Sequence, residues 1–324
     1  MTTNTNKTSP TIIVGYDGSE CASAAIAALC RAGLPARARA VVTTLAEVHV
    51  PVVLAPAVGD FHNGATTAGE VMEHLMERAS KDAARIAAEG AERLRTVFPR
   101  WDVDTSSRFA SATHGLIEEA ERHGASMIVV GSHGRSAVGR FLIGSVSQFV
   151  LNHATCSVRI ARPHPKRPGD AVRLLVGIDG SEDSMAAVDE LRRRRWPPGS
   201  QVRLLLCADY KLWAYLIAAE PEEAPLLQEI RRERGFVSPM DVVDRAAEQL
   251  RENGLIVTPG VREGDPKRVL LLEAHEWGAD CIHLGAKGHG PLQRFFIGSV
   301  SASVAARAAC SVEVTRRPVP SRVL

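Results

Sequence analysis

GSHGRSAVGRFLIGS, from Gly131 to Ser145, leads out of a short apolar run and into a helix start. Its glycines fall as Gly131-x-x-Gly134, then nine residues, then Gly144-Ser145. The same frame returns as GAKGHGPLQRFFIGS, Gly285 to Ser299, at an offset of 154 residues (285 − 131). Beyond the frame the register holds without a gap: Ala154, Cys156, Ser157 and Val158 meet Ala308, Cys310, Ser311 and Val312. The front ends match as well, TIIVGYDGSE (Thr11–Glu20) against RLLVGIDGSE (Arg173–Glu182). A duplicated unit accounts for both matches.

Working outward from the frame, apolar runs alternate with helical periodicity. IIVGYD is a short run ending in a turn, as a strand buried on both faces would be. Ser19 is placed to cap the Ala-rich helix that follows and ends near Gly33. AVVTTLAEV gives a second strand, and Ala68–Phe98 an amphipathic helix with apolar residues at Met72, Met76, Ala79, Ala83, Ile86 and Leu94. WDVDTSSRF, ASMIVVG and CSVRIA complete five strands. The second half repeats them near Arg173–Asp179, Gln201–Ala208, Leu255–Arg262, Asp280–Gly285 and Ser311–Thr315.

Strict βα alternation predicts α/β architecture: two tandem doubly wound domains, each a five-stranded parallel sheet of order 3-2-1-4-5 flanked by helices. The organisation expected is a disordered N-terminus (1–10), a first domain (11–162), a Pro-rich linker (163–170), a second domain (171–317) and a tail (318–324).

The 324 residues carry 39 Lys and Arg against 37 Asp and Glu, a formal charge of +2 that gives no reason to expect a nucleic-acid surface. MTTNTNKTSP has no apolar signal core and no run reaches a membrane span, so a cytoplasmic location is expected. The six cysteines form no C-x-x-C pair and read as packing residues. His49, His62, His74, His114 and His123 lack metal-ligand spacing. The run Arg192–Arg195 reads as a solvated helix end. Phe141, Leu142 and Ile143, with Phe295, Phe296 and Ile297, read as loop anchors. Trp213 and Tyr215 fit either a ligand cover or packing between repeats.

In open parallel sheets ligands bind beyond the strand ends where strand order reverses, here between strands 1 and 4. Asp17 or Asp179 closes strand 1, and Gly131 or Gly285 closes strand 4. Gly131 and Gly134 let the backbone approach a ligand closely. Gly144-Ser145 opens a helix whose first amides favour an anion, with Ser145 and Ser147 as hydroxyl donors and Arg135 and Arg140 as nearby charge. The set suits a phosphate chain, and Asp17 suits a bound hydroxyl or a divalent ion bridging phosphates. There is no P-loop, no dinucleotide G-x-G-x-x-G and no G-x-S-x-G nucleophile.

The frame G-x2-G-x9-G-[ST], with an aspartate ending strand 1, resembles the ATP-binding signature of the universal stress proteins over roughly Thr11–Arg162 and Arg173–Arg317. The resemblance implies that Gly15, Asp17 and Val48 contact adenosine, and that Gly131, His133, Gly134, Arg135, Gly144, Ser145, Val146 and Ser147 wrap ribose and phosphates. In the second repeat it implies Gly177, Asp179, Ala208, Gly285, Lys287, Gly288, His289, Gly298, Ser299, Val300 and Ser301. Lys287, His289 and Ala208 replace His133, Arg135 and Val48, and the Gly-x-Pro kept at Gly264–Pro266 has become Ala110–Ala112.

The function implied is an ATP-binding stress-response sensor or regulator without a catalytic residue, with Mg2+ near Asp17 and Asp179 as an accompanying ion. Alternatives are a slow ATPase and a dimerisation module with vestigial sites. The strand-5 edges are expected to pair within the chain, SVRIA beside SVEVT, leaving room for a homodimer of whole chains.

Overall fold

The computed structural model describes residues 9–46, 68–134, 143–164, 169–208, 238–288 and 297–317. Val48, Arg135, Arg140, Phe141, Leu142, Trp213, Tyr215, His289, Phe295 and Phe296 lie outside them, as do His49, His62, the outer termini and the middle of the linker.

The first repeat runs β1 (Thr11–Gly15), α1 (Glu20–Ala28), β2 (Arg39–Ala46), α2 (Ala68–Val97), β3 (Asp102–Phe109), α3 (Ala112–Arg122), β4 (Met127–Gly131), α4 (Ser145–His153) and β5 (Ser157–Ala161). The second runs β6 (Arg173–Ile178), α5 (Glu182–Arg193), β7 (Gln201–Ala208), α6 (Pro239–Arg251), β8 (Ile256–Glu263), α7 (Pro266–Trp277), β9 (Cys281–Gly285), α8 (Ser299–Arg307) and β10 (Ser311–Thr315). Local chemistry sets the helix starts. Ser19 and Ser181 hold extended backbone and accept from the amides of Ala22 and Ser184, and Asp265 does the same for Lys267 ahead of Pro266.

The strands form one ten-stranded sheet of order β3-β2-β1-β4-β5-β10-β9-β6-β7-β8. Each half has the order 3-2-1-4-5 expected, with parallel neighbours throughout. The halves meet where β10 pairs antiparallel with β5, Glu313 opposite Arg159. β4, β5, β9 and β10 are buried along their whole length, as central strands under helices on both faces should be.

The two faces of this seam differ in chemistry. On one, Val150, Leu151, Val158 and Ile160 join Val304, Ala305, Val312 and Val314 in a single apolar core spanning both repeats. The other face carries a separate apolar cluster in each half, under α1 and α2 and under α5 and α6. Between those two clusters lie charges. Arg159 Nη1 donates to Glu313 Oε2 at 2.9 Å, and Arg194 Nη1 donates to the same oxygen at 2.9 Å. Arg31 Nη2 donates to Asp280 Oδ2 at 3.0 Å. Glu313, Arg159 and His283 are 2 % exposed or less.

Arg194 corrects the reading of Arg192–Arg195 as a solvated helix end. Arg192, Arg193 and Arg195 are exposed, but Arg194 is buried, holding Glu313, Glu190 and the Ala32 carbonyl. A buried charge persists only when fully paired, and its partner comes from the far end of the chain. Helix α2 needs a smaller correction. Ala83, Ile86 and Leu94 are buried as its periodicity requires, whereas Met72 and Met76 near its start are exposed.

Desolvation pushes the thiols of Cys156 and Cys281 up to about 11 and that of Cys310 to about 12, and all six cysteines are free. Among the described residues no cluster of three or more metal-ligating side chains occurs, and no helix is long and apolar enough to cross a membrane.

Candidate functional site

In the second repeat the sequence-predicted residues converge on one cavity of about 230 Å3 at the end of β6 and β9. Gly177, Asp179, Gly285, Lys287, Gly288, Gly298, Ser299, Val300 and Ser301 all line it. Its apolar wall comes from Leu205, Leu270 and Leu284, which the sequence reading did not select. Gly177 is glycine because of that wall, since a Cβ there would lie 2.7 Å from Leu284 Cδ2 and 3.0 Å from Leu270 Cδ1. Gly15 leaves the same kind of room for Leu116 and Val130, each at 3.1 Å.

Asp179 is held at the mouth by the Ser181 amide, which donates to its Oδ1 at 3.0 Å. Asp17 receives the Ser19 amide at the same distance. Both aspartates thus sit two residues beyond their strands' last or next-to-last position, on turns that start α1 and α5. A Cβ on Gly288 would collide with Asp179 Oδ2, and one on Gly134 would lie 3.0 Å from Asp17 Oδ2. Each glycine therefore brings bare backbone against the strand-1 carboxylate. The Lys287 carbonyl accepts from Ser181 Oγ at 3.0 Å and fixes this arrangement.

Across the cavity, α8 opens at Gly298, as α4 opens at Gly144. Neither N-cap has a side-chain bond to the first helical amides, nor has Ser111 at α3, whereas Ser19, Ser181, Ser238 and Asp265 each make one. A Cβ on Gly298 would lie 3.2 Å from the Ala286 carbonyl oxygen, and on Gly144 3.4 Å from that of Ser132. Those carbonyls accept the Gly298 and Gly144 amides at 2.7 Å and dock the helix start on the strand exit. The first amides of α4 and α8 thus carry no side-chain cap, at helix ends whose dipole favours negative charge.

The hydroxyl of Ser147, expected as a donor to ligand, is used inside the protein, and that of its counterpart Ser301 likewise. Their Oγ atoms are buried and donate to the Gly131 and Gly285 carbonyls at 2.6 and 2.7 Å, tying helix to strand. Ala208 ends β7 packed against the apolar cluster of its repeat, while its neighbour Cys207 lines the cavity. Strand alternation puts the two on opposite faces. His133 Nδ1 lies 3.0 Å from Ser132 Oγ, whose hydroxyl also approaches Cys21 Sγ at 3.6 Å.

The comparisons agree with the duplicated architecture. The sequence model of the universal stress protein family matches residues 9–162 and again 172–316, so the chain belongs to that family in two copies. It is 28 % identical to a universal stress protein of Mycolicibacterium smegmatis over 311 residues, 94 % of this chain and 96 % of that one. A Mycobacterium tuberculosis universal stress protein is 31 % identical over 196 residues, 56 % of this chain and 59 % of that one. The crystal structure of a universal stress protein from Archaeoglobus fulgidus has the same fold, with a TM-score of 0.62 at 18 % identity, covering 96 % of this chain and 97 % of its own.

Proposed function

We propose that each repeat binds an adenine nucleotide, ATP in its triphosphate form, and that the chain acts as a stress-response sensor or regulator through the bound state. The observation that carries the reading is the pairing, around one cavity, of an uncapped helix start with a strand-1 aspartate. Leu205, Leu270 and Leu284 suit the base, Asp179 a ribose hydroxyl, and the amides of Ser299, Val300 and Ser301 the phosphates. In the first repeat Asp17, Gly134 and the start of α4 take the same parts.

The donor set fits Mg2+ held mainly by phosphate oxygens. One carboxylate per site, Asp17 or Asp179, would be its protein ligand, and the ion would supply charge neutralisation along the phosphates. Occupancy would change the surface that the two glycine frames offer to a partner. The same reading has the two repeats paired through β5 and β10 in one cytoplasmic chain, with a homodimer of chains formed on another face.

Equilibrium dialysis of nucleotide-stripped protein against ATP tests it. The expected result is saturable uptake approaching two nucleotides per chain; no uptake at millimolar ATP would refute it.

A further inference from the structure

The β5–β10 seam has a local pseudo-twofold axis, because the two strands hold equivalent positions in the two repeats. At the 154-residue offset Arg159 is equivalent to Glu313, and the register sets these two residues opposite each other, flanked by Val158 against Val314 and Ile160 against Val312. A position on a twofold axis faces its own equivalent. Between identical repeats, therefore, this position would face itself.

Most seam contacts obey the twofold. The Arg162 amide donates to Ser311 Oγ at 3.0 Å, and the Arg316 amide to Ser157 Oγ at 3.2 Å. The Arg162 guanidinium donates to the Cys310 and Ala305 carbonyls at the end of α8, and that of Arg316 to Leu151 and Asn152 at the end of α4. The apolar face is equally symmetric, Val150, Leu151 and Val158 answering Val304, Ala305 and Val312. All of these contacts would form between two copies of one repeat.

The buried charges break the symmetry. Across the seam the first repeat supplies cations, Arg31 and Arg159, and the second supplies anions, Asp280 and Glu313. Ser126 stands in the first repeat where the second has Asp280. A seam between two first repeats would bury Arg159 against Arg159, with serine in place of the aspartate that Arg31 holds. A seam between two second repeats would set two Glu313 carboxylates against each other, each keeping the Arg194 of its own repeat but neither gaining the Arg159 that faces it here. Buried charge without its counter-charge is strongly unfavourable, and like-charge juxtaposition is a common device for rejecting wrong partners.

We propose that the Arg159–Glu313 axis is a partner filter: it admits an unlike repeat and bars strand pairing between the same repeats of two chains. Any association of whole chains that leaves the internal seam closed then uses a different surface. The filter does not depend on nucleotide.

Two differently tagged full-length chains test this, one carrying Glu313→Arg and the other Arg159→Glu. Each alone has like charges at the axis, and together they restore opposite charges. Co-expressed, they should be recovered as a mixed pair enriched at least about tenfold over co-expressed tagged wild-type chains, the ratio that ~1.4 kcal/mol of discrimination gives. A single chain with Arg159→Met, Arg194→Met and Glu313→Leu should keep hydrogen-exchange protection of β5 and β10, which separates charge mismatch from lost packing. No enrichment of the mixed pair, whether or not each variant is soluble alone, overturns the proposal.

Discussion

A valine at Gly288 should remove one of two nucleotide equivalents from the chain while leaving it folded. Gly288 is exposed, so the substitution leaves the core untouched. Its Cβ would collide with Asp179 Oδ2, and the carboxylate must leave the cavity mouth to make room. Loss of a hydrogen bond to a charged group costs about 1.5–3 kcal/mol, an affinity loss of roughly ten- to a hundredfold, before the valine's own bulk is counted. Isothermal titration with ATP should show the stoichiometry falling from two towards one. Gly134→Val, with its Cβ 3.0 Å from Asp17 Oδ2, should weaken the first site in the same direction but less. Unchanged titrations for both would place the ligand elsewhere.

Glu313→Leu should be the most damaging single change to stability. It strands the buried guanidinium of Arg159 and removes the innermost partner of Arg194. Removing one member of a buried pair costs about 3–5 kcal/mol, and replacing both members by apolar residues costs far less. Urea unfolding should therefore rank wild type and the triple variant Arg159→Met, Arg194→Met, Glu313→Leu, which removes the whole buried triad, close together, with Glu313→Leu alone well below them.

The pH dependence follows from the same cluster. Burial works to raise the Glu313 carboxyl, but the Arg194 and Arg159 charges outweigh it and hold it below the usual carboxylate range. Its stabilisation is complete above the unfolded value, about 4.3, and is lost as pH falls through the folded one. His283, desolvated in the same cluster, is lowered to about 3. Unfolding then takes up a proton between about pH 6.5 and 3, and stability should fall by up to ~1.4 kcal/mol per pH unit through that window. His283→Leu should flatten the slope.

The site's frame was legible because it is local and repeated. Gly285 to Ser299 lies in one stretch, and topology alone sets strand 4 beside strand 1. The spans Gln201–Ala208 and Ser311–Thr315 follow directly from their apolar runs. Arg194 was not legible, since the carboxylate that makes its burial tolerable lies 119 residues away. A window along the chain sees only four arginines in a row. Ala208 packs on the apolar cluster while Cys207 lines the cavity, a one-residue distinction of strand face that a glycine frame does not resolve. Ser147 was assigned to the ligand for its hydroxyl, yet the carbonyl of Gly131, which the fold places beside it, claims that proton. The apolar wall could have been found at Leu270 and Leu284, which follow Pro266 and precede Gly285 at positions that must face the strand-1 glycine.

Amide hydrogen exchange with ATP, and with adenosine as control, tests the phosphate-receiving helix starts most directly. ATP should slow exchange at Ser145–Ser147 and Ser299–Ser301 in wild type, and adenosine at equal occupancy should leave those amides unprotected. Equal protection by both ligands, or bound ATP with neither helix start protected, would contradict it.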